Sequence, residues 1–203
     1  MKNRNQVQRI AIMGMLIAII VIMTFTNIGY ILLVPFSMTT IHIPVIIGAA
    51  YFGRKEGTLL GLVFGLSSFM YAVTHSSLPE AVLYLNPIIS VLPRIGVGLA
   101  VGLLADALRK VNLKPTLKYI LLAMTGTLTN TVLVLSAIWI FYRSVVEGIL
   151  KSTINLGEQF NFSLLSFIVP ILSVNVLLEV VFSALVVPPV MIALNKVIKS
   201  QAS

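Results

Sequence analysis

The sequence predicts an all-α membrane protein: a single domain, residues 1–203, folded as a bundle of six transmembrane helices with long extracellular loops covering a ligand pocket. Composition comes first. A chain that is 58% hydrophobic and 10% charged, with a mean hydropathy of +1.04, lacks the polar side chains needed to cover a water-soluble globule. Second, its apolar runs are mostly long enough for a helix rising about 1.5 Å per residue to cross a hydrocarbon core of about 30 Å. Third, the runs do not alternate apolar and polar residues, as the strands of a membrane barrel do.

Taken in order, the spans fall at 8–25, 37–53, 57–73, 90–109, 117–142 and 164–195. The first follows a basic start and runs from Ile10 to Phe25 without a small-residue cleavage site, so it reads as a retained span and not a signal peptide. The second is short, apolar only from Ile41 to Phe52, and Pro44 removes a backbone donor near its start, which leaves a half-length or bent course open. Spans three and four carry small residues every four positions, Gly57, Gly61 and Gly65, then Gly98 and Gly102, a pattern that lets helices approach closely. Gly14 and Ala18 do the same in span one, either for packing within the bundle or for docking another membrane subunit. The fifth and sixth spans are long apolar runs with isolated polar side chains. No cysteine is present, which excludes disulfides and thiolate chemistry.

Lysine and arginine are unevenly placed. Lys2, Arg4 and Arg9 precede span one; Arg54 and Lys55 join spans two and three; Arg109, Lys110, Lys114 and Lys118 join four and five; Lys196 and Lys199 follow six. The opposite connections hold Arg143 and Lys151, and Arg94 lies within a span. By the positive-inside rule both termini are cytoplasmic. The net charge of +8 is then a signal for topology and anionic lipid, and no nucleic-acid partner follows from it. The outer connections, 26–36, 74–89 and 143–163, are long and partly apolar, as loops folded back over a bundle mouth are.

A charged residue at mid-bilayer costs roughly 2.5–3.5 kcal/mol on insertion scales, so ionisable groups inside spans are functional candidates. Arg94 and Glu179 qualify. Counting from the basic helix ends at about 1.5 Å per residue, Arg94, Asn130 and Glu179 stand at similar heights, roughly 18–25 Å, on three helices. Asn175 shares a face with Glu179, and Thr127 with Asn130. This set fits either a pocket for a polar, anionic small molecule, with the Arg fork on a carboxylate, or a structural Arg94–Glu179 salt bridge with hydrogen-bonded neighbours. Enzyme signatures are absent: there is no G-x-x-x-x-G-K-[ST] phosphate loop and no HExxH, and GLSS at Gly65–Ser68 lacks the closing glycine of a nucleophile elbow. His42 and His75 are too few for a histidine metal site. No cofactor is expected.

Several stretches together carry a resemblance: RIAIMGMLIAIIVIM in span one, TTIHIPVIIGAAYFG leading into span two, GLVFGLSS, NPIISVLPRIGVGLAVGLLAD, GTLTNT, and NVLLEVVFSALVVPPV. Over essentially its whole length the chain resembles the substrate-binding S components of energy-coupling factor (ECF) vitamin transporters, and is most similar to the pantothenate-type members. The resemblance implies a bacterial plasma-membrane protein that binds a vitamin in an outward-side pocket under its loops. It implies no ATPase activity of the chain's own, and partnership with a transmembrane coupling subunit and two ATPases. It also implies that Ala11, Gly14 and Ala18 form the surface for the coupling subunit, with glycine standing where the family favours alanine. By the same resemblance Arg94 would hold the pantothenate carboxylate, and Asn130, Asn175, Thr127 and Thr40 would read its hydroxyl and amide groups. His42 and Tyr84 complete the expected lining, with RKEG as the turn after span two. Glu179 fits an anion less well, which keeps hydroxymethylpyrimidine, pyridoxine-like and folate ligands open. A stand-alone secondary transporter is a further alternative, disfavoured by the lack of an evident inverted repeat.

Overall fold

A computed structural model of the chain describes residues 2–26, 28–31, 38–75, 79–154 and 176–202. Seven helices appear among them: α1 (Lys2–Phe25), α2 (His42–Phe52), α3 (Arg54–Thr74), α4 (Pro79–Tyr84), α5 (Pro87–Arg109), α6 (Pro115–Ile154) and α7 (Leu177–Ala202). Between α1 and α2 two short segments, β1 (Tyr30–Ile31) and β2 (Met38–Thr39), pair antiparallel. Five helices, α1, α3, α5, α6 and α7, are long and apolar enough to cross a membrane. The protein is an all-α membrane protein.

The second span differs most from expectation. α2 has only 11 residues, and eight in succession, His42 to Ala49, are buried. A helix apolar on every face belongs in an interior, and α2 packs against α1, α3, α5, α6 and α7. Instead of a membrane wall it is the central post of the bundle. Ile46 and Val45 are fully buried, among Leu60, Phe64, Val97, Val101, Ala123, Val187 and Met191. Pro44 sits in the first turn, where a missing N–H costs little. The RKEG stretch is not the turn: Arg54 already begins α3, and the reversal is made at Gly53 alone, at φ 102°, a left-handed geometry natural to glycine. Arg9 pairs with Glu56 and ties the start of α1 to that corner.

The glycine rows of spans three and four face each other. A Cβ added to Gly57 would lie 2.7 Å from the Gly98 carbonyl oxygen, one on Gly61 would strike the Arg94 carbonyl, and one on Gly65 would lie 2.7 Å from Val91 Cα. These positions run antiparallel in strict register, backbone against backbone. By contrast Gly14, like Ala11 and Ala18, is exposed, and a Cβ on Gly14 would meet nothing within 4 Å. Among the described side chains of α1, Leu16, Ile20 and Thr24 are buried.

Two connections are more ordered than loops. α4 lies within 74–89, and α6 continues past the expected end of span five to Ile154, changing course at Tyr142 (φ −132°). The beginning of the expected span six, 164–176, lies outside the described residues apart from Val176.

Gly61→Ala is expected to lower stability by about 1–3 kcal/mol through overpacking against Arg94. Gly14→Ala is expected to leave it unchanged, with thermal unfolding in detergent as the measurement.

Candidate functional site

The site starts from a proline. Asn86 caps α5 by accepting the Ile88 N–H at 3.0 Å, and Pro87 occupies the first turn. Further along, Pro93 has no N–H, so the Ile89 carbonyl four residues earlier loses its helical donor. Arg94 fills that vacancy: its side chain turns back along its own helix, and Nη1 donates to Ile89 O at 2.7 Å. The guanidinium then lies between two rings, 5.3 Å from the Phe64 centroid and 5.0 Å from that of Tyr84. Ser90 Oγ bonds the Tyr84 and Asn86 carbonyls, which holds α4 beside α5.

Arg94 is only 4% exposed. No carboxylate among the described residues lies within salt-bridge distance of it, and its Nε–H has no hydrogen-bond partner. The alternative of an Arg94–Glu179 salt bridge therefore does not hold. Glu179, also buried, accepts the backbone N–H of Thr39 at 2.9 Å through Oε1, and Oε2 is 3.4 Å from the Thr131 hydroxyl. It ties the segment before α2 to α7 and α6.

A second polar line crosses the same level. His42 Nε2 and Thr127 Oγ1 are 3.0 Å apart, and Thr127 Oγ1 lies 2.8 Å from Ser183 Oγ. Ser183 donates to the Val180 carbonyl, so it accepts from Thr127, which in turn accepts from the His42 Nε2–H. His42 Nδ1 is buried without a partner, as are Asn130 Oδ1 and Ser68 Oγ.

Of the expected lining, Arg94, Tyr84, Thr127, His42 and Glu179 appear in these contacts, and Asn130 is buried one helical turn from Thr127. Asn175 lies outside the described residues. The Thr40 hydroxyl and N–H bond the Gly29 carbonyl at 3.3 and 2.8 Å, closing the turn after α1, and Ile41 takes the cap position of α2. Sequence reasoning missed Ser183 and Thr131, although each lies four residues beyond a chosen residue, Glu179 and Thr127, on the same face. It also missed Phe64, whose ring looked like ordinary core.

At the other end of α2 a cavity of about 310 Å³ is lined by Tyr51, Arg109, Lys118, Tyr119 and Asn195 among apolar side chains. Its groups are already engaged or exposed: Asn195 Nδ2 bonds Tyr119 Oη and the Met191 carbonyl, both at 2.8 Å, and Arg109 pairs with Asp106. Buried, unpartnered polar atoms mark the binding site more strongly than open volume does, and they gather at the His42 end.

Comparison with known proteins agrees in kind. The family model described as "ECF transporter, substrate-specific component" matches residues 8–191. The chain is 30% identical to the pantothenic acid transporter PanT of Lactococcus lactis subsp. cremoris (strain MG1363), over 96% of this chain and 97% of that protein.

Glu179→Ala removes the acceptor of a buried N–H and is expected to lower stability by about 1–3 kcal/mol. Glu179→Gln keeps an acceptor oxygen and is expected to lose less, both read by thermal unfolding without ligand.

Proposed function

Since the chain belongs to the substrate-specific components of ECF transporters, a multi-pass, non-catalytic transport family, we propose that it is a pantothenate-binding subunit. It takes the vitamin at the Arg94 level, on the extracellular side of a bacterial plasma membrane, with both termini cytoplasmic. Delivery then passes through a transmembrane coupling subunit and two ATPases, with the exposed Ala11, Gly14 and Ala18 face of α1 toward the coupling subunit.

One observation carries the reading: a buried guanidinium held in place by a carbonyl and two rings, with no carboxylate among the described residues at salt-bridge distance. Burying a charge without a counter-charge is unfavourable unless a ligand supplies it. Pantothenate brings a carboxylate for Arg94. Its hydroxyls and amide N–H answer the acceptor Asn130 Oδ1 and the free His42 Nδ1, with Thr127 beside them. Glu179, which counted against an anionic ligand, is occupied by Thr39 and Thr131. That engagement weakens the case for a ring amine and hence for hydroxymethylpyrimidine, pyridoxine-like or folate ligands. The relative from Lactococcus lactis, named for pantothenic acid, supports the same choice.

A ligand that binds only the folded state raises its apparent stability. Pantothenate is expected to raise the unfolding temperature of the detergent-purified chain, while hydroxymethylpyrimidine, pyridoxine and folate leave it unchanged; a shift with one of those instead would overturn the substrate. Uptake independent of ATP would favour a secondary transporter. Arg94→Ala is expected to weaken pantothenate on the order of thirty-fold or more. Pro93→Ala restores a competing N–H to Ile89 O. It is expected to leave the unliganded chain at least as stable and to weaken pantothenate about ten-fold, as loss of one charge-assisted hydrogen bond does.

A further inference from the structure

We infer that Ser68 is a second donor to the ligand's carboxylate, forming with Arg94 a two-residue anion clamp between α3 and α5; this rests on the pantothenate reading above. Ser68 is 4% exposed, and its Oγ has no hydrogen-bond partner. Other buried helical hydroxyls have partners: Thr24 bonds Ile20 O, Thr131 bonds Thr127 O and Ser183 bonds Val180 O on the preceding turn, and Thr127 meets His42 and Ser183. Ser68 has none, which leaves a buried donor and acceptor in reserve.

Its position follows from the register of the two helices. Gly57 meets Gly98, Gly61 meets Arg94 and Gly65 meets Val91, so each step outward on α3 is matched by a step back toward the start of α5. One further turn sets Ser68 level with Pro87 and Ile88. Arg94 reaches back toward this level, since Nη1 bonds Ile89 O. Its guanidinium carbon stands over Phe64, and Ser68 lies four residues from Phe64 on the same face of α3. The unpartnered Nε–H of Arg94 and the unpartnered hydroxyl of Ser68 therefore face the same seam about one helical turn apart, roughly 5 Å, a gap a bridging carboxylate can span. A carboxylate has two oxygens with several acceptor sites between them, enough for both donors.

The clamp predicts opposite effects on stability and on binding. Ser68→Ala removes a buried group that has no partner in the unliganded chain, so the unliganded unfolding temperature is expected to hold or rise. Pantothenate affinity is expected to fall about ten-fold, the loss of one hydrogen bond to a charged group. Ser68→Thr keeps the hydroxyl and is expected to restore most of it. Pantothenol, in which a CH₂OH replaces the carboxylate, is expected to bind wild type and Ser68→Ala within about two-fold of one another, because it offers no anion to clamp.

Titration of wild type and both variants with the two compounds separates the cases. Pantothenate that stabilises wild type and Ser68→Ala equally overturns the clamp and leaves the substrate reading intact. Equal loss with pantothenate and pantothenol overturns it too, since Ser68 then acts on another part of the ligand or on packing. A fall in the unliganded stability of Ser68→Ala assigns the hydroxyl a structural role and also overturns it. Wild type that ignores pantothenate defeats the substrate reading itself, and the clamp with it.

Discussion

The hydrogen bond from Arg94 to the Ile89 carbonyl is the constraint around which the rest of the site is arranged. A proline inside a helix ordinarily weakens it, because the carbonyl four residues back loses its partner. Here the residue after the proline supplies a donor. One Pro-Arg pair therefore frees an acceptor and fills it with a charged group, fixing a guanidinium inside the bundle with no carboxylate among the described residues at salt-bridge distance. Phe64 and Tyr84 hold the cation from two sides through ring faces and do not neutralise it. The guanidinium is oriented and still short of a counter-charge.

That arrangement depends on how closely α3 approaches α5. Gly57, Gly61 and Gly98 have no side chain where the two backbones meet, and a methyl group at Gly61 would displace the Arg94 carbonyl itself. Close approach brings Phe64 under the guanidinium, with Ser68 one turn farther along the same face of α3. The glycine row is a packing device, and through the register it enforces it is also a positioning device for the site.

α2 divides the molecule into two chemically different ends. Being short and buried on all sides, it delivers His42 at one end to Thr127 and Ser183, and at the other it stops at Gly53 beside Arg109 and Asp106. The basic end has its polar groups paired or wet. Among the described residues, the His42 end keeps buried polar atoms unpaired on α2, α3, α5 and α6. Such atoms lower the stability of the unliganded chain, and a site that binds a polar ligand needs them. Glu179 is the exception there, since Oε1 fastens the Thr39 N–H across the bundle and Oε2 lies 3.4 Å from the Thr131 hydroxyl.

The fold class was legible in the sequence because hydrocarbon admits only helices or closed barrels, and long unalternating apolar runs leave only helices. The level of the site was legible for a related reason: rise per residue is fixed, so Arg94, Asn130 and Glu179 could be placed at one height from their distances to the helix ends. That spans three and four carry close-packing faces followed from glycines spaced by four; that the two rows meet each other came only from the structure. Partnership did not follow. Height says nothing of rotation about the bundle, so a pairing of Arg94 with Glu179 stayed open beside the pocket until the structure gave one to a carbonyl and the other to a backbone N–H. The burial of α2 was equally hidden, because an apolar helix facing lipid and one facing protein have the same composition. Single-sequence patterns determined which segments sit in the membrane and which side chains are out of place there; only tertiary structure decided which of those were satisfied by neighbours, because satisfaction depends on atoms from four helices meeting within about 3 Å.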